Sequence, residues 1–405
     1  MSQGFDRTNT EILVGRCLTY LPLPHLGYGP AQSCVSILEN CPDDILRKTL
    51  FLLTVRSPIA RSIDVKQGIP FLLRNLPYIS KFGTSWLNHY ISDIGVSSLN
   101  HLFQRAVNIS DPSNTIAYFW PDPPLSIVQH ARNHGLTTVR EMINTFRGTA
   151  KIILDEAYDR LGLKPNHNIT PESVEREREE LALYDYVFAS NAMVEASLLE
   201  AGVEATRIIS SSFGWSPARF ANRPDENRRS GNFRALFVGS VCVRKGVPQL
   251  LAAWKKSRVK GELILAGGIE DAIKPLLQSD GDSSPIHVLD HVTDVGSLYR
   301  SADIFVFPTL EEGGPQVTYE AAGCGLPIIT TPMGAARLVK DGLNGIIVNS
   351  NDIDGLAEAI MRLAASSELR HSFGRQAEVD AMNYNYQMVG YDRATKLSSL
   401  LRADN

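Results

Sequence analysis

Short apolar runs alternate with helical segments along most of this chain, and the alternation starts twice. Residues 11–18 read as a first strand, followed by a turn-rich loop at 22–30 and a helix at 31–38. Residues 115–119 and 138–142 read as strands flanking a helix at 125–134, which is a βαβ unit. Thr170-Pro171-Glu172 is a helix start, with a capping hydroxyl, a proline at the first helical position and an acid in the first turn. That helix runs to about residue 184. A strand at 185–189 and a helix at 192–201 follow. Residues 213–232 are polar and rich in proline and arginine. After them the pattern begins again, with a strand at 235–238, a loop to Gly246, a helix at 248–256 and a strand at 263–266. Two runs of βα units predict an α/β protein of two doubly wound, Rossmann-like domains, with ligand bound outside the carboxyl ends of the strands. The expected division is residues 1–215, a linker at 216–232, a second domain at 233–385, and a last helical stretch at 386–405 that packs back on the first domain.

At 405 residues the chain is long enough for two cores. A formal net charge of −4 gives no support to a nucleic-acid partner. The five cysteines, Cys17, Cys34, Cys41, Cys242 and Cys324, show neither metal-ligand spacing nor a paired framework, which fits a reducing compartment. The amino terminus lacks the pattern of a signal peptide, and no apolar run reaches the roughly 18 residues of a membrane span. The expectation is a cytoplasmic protein.

Residues 305–348 are the most informative segment. A buried-strand pattern at 304–307 leads into Glu311, Glu312, Gly313, Gly314 and Pro315. A helix at 315–324 and a strand at 327–330 follow. Glu312 and Glu320 stand eight positions apart, one in the loop and one in the helix. The glycines let backbone amides approach a ligand, and Pro315 suits a first helical position. A glycine loop opening a helix at a sheet's carboxyl edge attracts anions. Taken alone, the same residues also suit a plain strand–loop–helix turn. A second constellation supports the first: Gly239 ends a strand, and Arg244-Lys245-Gly246 precede a helix. Two cations there would stabilise an anion.

This combination, Glu312-Gly313-Gly314-Pro315-Gln316-Val317 through Glu320-Ala321-Ala322-Gly323-Cys324-Gly325-Leu326-Pro327 and on to Asp341-Gly342-Leu343-Asn344-Gly345, resembles the signature of the retaining glycosyltransferases of family 4. The match is strong over about residues 232–350 and looser before them. The resemblance implies a GT-B fold and a nucleotide-diphosphate sugar as donor, with transfer to an acceptor hydroxyl, retention at the anomeric carbon and no essential metal or other cofactor. Glu312 would contact the donor sugar and Glu320 the ribose. Lys245 matches the second basic residue of the family's loop. The first is replaced by Ser240, which leaves Arg244 to supply the charge. Gly314, Pro315, Gln316 and Val317, with Gly313, would face the diphosphate or sugar. Gly267, Gly268 and the turn at His291 and Val292 would frame the base, and Gly27 and Gly29 the phosphate or acceptor. The family's histidine after the strand at 138–142 is missing, so Arg140, Glu141 and Asn144 are the polar candidates there. His25, His130 and His134 read as packing or surface residues rather than metal ligands.

Members of this kind often build bacterial surface polysaccharide or lipid-linked oligosaccharide, so the implied acceptor is a glycan or lipid-linked glycan. Residues 51–90 carry Arg56, Arg61, Lys66, Arg74 and Lys81 against one acid, Asp64, interleaved with aromatics. Such a mixture suits peripheral contact with an anionic membrane, and equally an ordinary acceptor-domain surface. Two other functional classes fit the same residues. One is another GT-B enzyme, a nucleotide-sugar epimerase or a phosphorylase. The other is a silent sugar-nucleotide-binding protein, suggested by Ser240 and the missing histidine.

Overall fold

The structure is a computed structural model that describes residues 14–69, 85–221, 232–277, 285–290 and 292–401, with side chains described from residue 93 onward in the second stretch. The strands are β1 (Gly15–Leu21), β2 (Leu46–Leu52), β3 (Ile63–Gln67), β4 (Thr115–Phe119), β5 (Thr137–Glu141), β6 (Tyr186–Ala189), β7 (Ile208–Ser210), β8 (Phe233–Val238), β9 (Gly261–Ala266), β10 (Ile286–Leu289), β11 (Ile304–Phe307), β12 (Ile328–Thr330) and β13 (Gly345–Ile347). The helices are α1 (Gly29–Glu39), α2 (Ser85–Asn108), α3 (Leu125–Asn133), α4 (Arg147–Asp159), α5 (Pro171–Ala182), α6 (Ala192–Glu200), α7 (Val247–Ser257), α8 (Val295–Ser301), α9 (Gln316–Gly323), α10 (Ile353–Ala365), α11 (Ser367–Ala381) and α12 (Tyr386–Ser399).

The first sheet has seven strands in the order β3-β2-β1-β4-β5-β6-β7, and the second has six in the order β10-β9-β8-β11-β12-β13. All pairs in the second sheet are parallel. A parallel sheet covered on both faces needs apolar side chains on both. This is why β11 reads as an unbroken apolar run and β4 as one after Thr115, and every residue of each is buried. In the second sheet the chain direction of travel reverses between β8 and β11. The loops leaving their carboxyl ends, 239–246 and 308–315, therefore open side by side at the switch point. These are the two loops singled out from sequence.

By contacts the chain forms two compact units, residues 1–139 with 390–405, and residues 140–389. This division falls within β5; most of the polar stretch at 216–232 lies outside the described residues. In the first unit the end of α12 lies on the sheet's helical layer. Cys41 Sγ donates to the Gly390 carbonyl at 3.3 Å, and fully buried Arg393 donates from Nη1 to the Tyr118 hydroxyl at 2.6 Å. A side chain at Gly390 would meet the Asn40 backbone at 2.5 Å, so glycine is required for that approach.

Most boundaries fall within two residues of the sequence expectation. Thr170 caps α5 as expected, and Ser173 completes a reciprocal pair of side-chain-to-backbone bonds. The first strand differs: it begins at Gly15 and continues to Leu21, because the pairing with β2 runs from Gly15 opposite Leu46 to Leu21 opposite Leu52.

Candidate functional site

The site is built on residues 140–389. After β8, residues Val243–Lys245 form one turn of 3-10 helix, ended by Gly246 in the left-handed region at φ 69°. A Cβ at Gly246 would lie 2.0 Å from the Pro308 carbonyl oxygen, so the two loops touch along their backbones. The Leu310 amide donates to the Arg244 carbonyl at 2.9 Å, which fixes them further. Gly267 serves the same purpose one strand over, its Cβ position lying 2.1 Å from the Gly239 oxygen.

Lys245 is 7% exposed, and its ammonium pairs with the Glu312 carboxylate. It also lies over the Phe307 ring, 5.5 Å from the centroid. Burial drives the Lys245 ammonium down, to about 7, with Arg244 adding to the shift and Glu311 opposing it. The Glu312 carboxylate that touches it also favours the charged form. Glu312 accepts from the Gly313 amide at 3.2 Å.

Glu311 stands nine positions before Glu320, one outside the eight-residue spacing, and it has the richer surroundings. It is 2% exposed. Its carboxylate accepts from Asn144 Nδ2 at 3.1 and 2.9 Å, from the Thr145 amide at 3.1 Å and from the Thr145 hydroxyl at 3.0 Å. Arg244 Nη1 completes the set at 3.2 Å. Asn144, expected to face ligand, thus spends its amide on Glu311. Arg140 and Glu141 do not join the site. Arg140 is buried in ion pairs with Glu177 at 3.6 Å and Glu180 at 2.9 Å, and Glu141 is fully buried in β5. Strand alternation and the two acids on α5 decide this, and neither is visible near residue 140 in the sequence.

The glycine pair makes close approaches of the backbone. A Cβ at Gly313 would lie 2.0 Å from the Ile143 oxygen, and one at Gly314 would lie 1.7 Å from Phe213 Cδ2. The Gly313 carbonyl accepts from the Ser190 hydroxyl and the Asn191 side-chain amide. Sequence reading missed Ser190 and Asn191. Their signal was a polar pair at the carboxyl end of the apolar strand 185–189. Pro315 is the N-cap of α9, not its first helical residue. It still lacks the N–H that a helix start would leave unpaired. The Gln316 side chain is tied to the Tyr386 hydroxyl, and Val317 is half-buried in the first turn of α9.

Glu320, expected to await a ribose, already has partners. Tyr299 donates to it at 3.2 Å, and Arg219 pairs with it at 3.3 Å. Burial raises its carboxyl, against the lowering effects of Arg219 and Tyr299. Ser240 is exposed. It lines a cavity of about 370 Å³ together with Arg244, Gly268, Tyr158, His167 and Glu270. Glu270 ties that cavity's walls together, accepting from Tyr158, from Asn166 at 3.1 Å and from the Val243 amide at 2.9 Å. Val292 is half-buried, and His291 lies outside the described residues. Gly27 and Gly29 belong to the other unit, both exposed, at φ 86° and 67°. Of the remaining histidines, His25 is fully buried and His130 bonds Asn108 at 2.8 Å.

Two Rossmann-like parallel sheets, with paired acids and cations at a switch point, define a GT-B protein. Residues 232–366 match the family model of the glycosyl transferases group 1. Among curated relatives, a stretch of 180 residues is 29% identical to the capsular polysaccharide biosynthesis glycosyltransferase CapM of Staphylococcus aureus, covering 42% of this chain and 47% of CapM. Another of 168 residues is 25% identical to the N,N'-diacetylbacillosaminyl-diphospho-undecaprenol alpha-1,3-N-acetylgalactosaminyltransferase of Campylobacter jejuni, covering 40% and 45%. The chain spans about half the length of the curated relatives it matches. Among solved structures, sucrose-phosphate synthase from Thermosynechococcus elongatus superposes with a TM-score of 0.70 at 14% identity, covering 95% of this chain and 99% of that one. HepE of Anabaena, in complex with UDP and glucose, gives 0.64 at 16%, covering 95% and 100%. These structures share the fold.

Proposed function

We propose that the chain is a glycosyltransferase, of the EC 2.4 type, that moves a sugar from a nucleoside-diphosphate sugar to an acceptor hydroxyl with retention at the anomeric carbon. The observation that carries this reading is the pair of acid–cation contacts, Lys245 with Glu312 and Arg244 with Glu311, on two loops that meet at the switch point of a group 1 domain.

Lys245 and Arg244 would neutralise the charge that gathers on the diphosphate as the glycosidic bond breaks. The first turn of α9, with Gly313 and Gly314 before it, would direct backbone amides at the donor. Glu312, in the loop, would hold the sugar, and Glu320 would take the ribose by exchanging Arg219, which is largely exposed, for the diol. Gly239, Ser240, Gly267 and Val292 would line the nucleotide, and Gly27 and Gly29 would serve the phosphate or acceptor. The names of the Staphylococcus and Campylobacter relatives favour an acceptor in surface polysaccharide or lipid-linked glycan synthesis.

A thermal-shift screen with UDP-, GDP-, ADP- and CDP-sugars, with and without EDTA, tests the donor. A bound nucleotide raises the melting temperature in proportion to the logarithm of its concentration over Kd. Transfer to a glycan panel, with the product's anomeric configuration read by NMR, tests the chemistry. Hydrolysis or epimerisation without acceptor dependence would replace the proposal, as would binding with no turnover on any acceptor.

A further inference from the structure

Glu311 stands one residue from the acid of the expected signature, yet it is the more buried of the two and receives more hydrogen bonds. A carboxylate this deeply buried is costly unless its oxygens are satisfied. Here three neutral donor groups, Asn144 Nδ2, the Thr145 amide and the Thr145 hydroxyl, hold it in place. The Arg244 guanidinium then bonds to Oε2, the oxygen that the Thr145 donors leave open.

Arg244 is held from two directions. Its carbonyl accepts from the Leu310 amide, and its side chain bonds Glu311, the residue that follows Leu310 on the facing loop. Among the described residues Glu311 is its side chain's single hydrogen-bond acceptor, which leaves the other N–H donors of the fork for a ligand. The Arg244 side chain remains 35% exposed and lines the cavity that Ser240 and Gly268 also line. Ser240, at the start of the same loop, carries no charge.

We propose that Glu311 is a positioning residue of the anion site. It holds Arg244, so that residue 244 rather than residue 240 provides the second cation beside Lys245 for a diphosphate. This rests on the reading of the two loops as a nucleoside-diphosphate site. A long, flexible arginine on a loop loses side-chain entropy when it binds an anion, and a fixed carboxylate behind it removes part of that loss in advance.

The substitution Glu311→Gln tests the idea. An amide has one oxygen. If it serves the two Thr145 donors, its NH2 turns toward Arg244, and the arginine is released. Kd for UDP and for inorganic pyrophosphate would be measured by calorimetry in wild type, Glu311→Gln, Arg244→Ala and the double variant. We expect each single change to weaken both ligands by about tenfold, and the double variant to match Arg244→Ala within about twofold, as for residues acting as one unit. A purely structural role would weaken binding equally with or without Arg244. Additive losses, or wild-type affinity in Glu311→Gln, would overturn the proposal. If Glu311→Gln does not fold, Asn144→Ala loosens the same carboxylate and must show the same dependence on Arg244. Failure of wild type to bind either ligand would instead remove the reading of the loops as a diphosphate site, and this inference with it.

Discussion

At the scale of single residues, the Lys245–Glu312 pair makes a divided prediction. Glu312→Gln should lower transfer by a factor of roughly 100 or more, as loss of a group placed at the reacting sugar does. It should not weaken UDP, because the substitution frees Lys245 from a competing carboxylate. Steady-state kinetics beside calorimetry at pH 6 checks both halves, and a large loss of UDP affinity would assign Glu312 to the nucleotide. Lys245 also predicts a pH dependence. Its ammonium sits near 7 in the folded protein, lowered chiefly by burial. A bound diphosphate favours the charged form, so the complex holds more protons than the free protein above about pH 7. Affinity should therefore fall as pH rises through and above 7, with proton uptake on binding. Calorimetry in buffers of different ionisation enthalpy measures that uptake, and pH-independent affinity between pH 6 and 9 would contradict it. Spacing and local chemistry pointed to Glu312, Glu320 and Lys245, and the structure places Lys245 against Glu312. Glu311 was not, since its partners Asn144 and Thr145 lie more than a hundred residues earlier.

At the scale of elements, the loops that leave β8 and β11 hold the site because their backbones touch. Gly246→Ala would place a methyl group 2.0 Å from the Pro308 oxygen while requiring φ 69° of an L residue. Strain at such a position costs on the order of 1–3 kcal/mol before the clash is relieved. Urea denaturation should show that loss, together with weaker nucleotide binding, since Lys245 immediately precedes the glycine. An Ala variant with wild-type stability would mean that the loop has another accessible conformation. The strands and helices that sequence reading placed followed from apolar runs, turn residues and caps, whereas β2, β3, β7, β10 and β13 were not among them. The exception at the first strand arose because its end is set by the partner strand, and an isolated run carries no such information.

At the scale of the whole molecule, the carboxyl-terminal helix ends within the unit formed by residues 1–139. Arg393→Ala removes the donor to the buried Tyr118 hydroxyl and should destabilise the protein by about 1–3 kcal/mol. Chemical denaturation is the check, and an unchanged midpoint would make that helix end dispensable. The basic segment bears on association with a membrane. Arg56, Arg61 and Lys66 are exposed, whereas Arg74 and Lys81 lie outside the described residues. If this surface meets anionic lipid, the protein should sediment with phosphatidylserine vesicles at low salt and be released as charge is screened, on a scale of about 10 Å at 0.1 M. Substituting Arg56 and Arg61 by Ser should reduce pelleting. Wild-type protein left in the supernatant at low salt would make this an ordinary domain surface.

The sequence by itself determined the α/β class, the two Rossmann-like sheets and the position of the two loops that leave β8 and β11. Those properties follow from periodicity, glycine placement and charge within windows of ten to forty residues, where local sterics and burial act. Tertiary structure alone decided which polar groups meet across such windows. It paired Glu311 with Asn144, Thr145 and Arg244, filled Glu320 with Arg219 and Tyr299, and withdrew Arg140 into a cluster with Glu177 and Glu180. The physical reason is that a buried charge takes whichever partner the packing brings within about 3 Å, and that choice leaves no mark on either residue's neighbours in the chain.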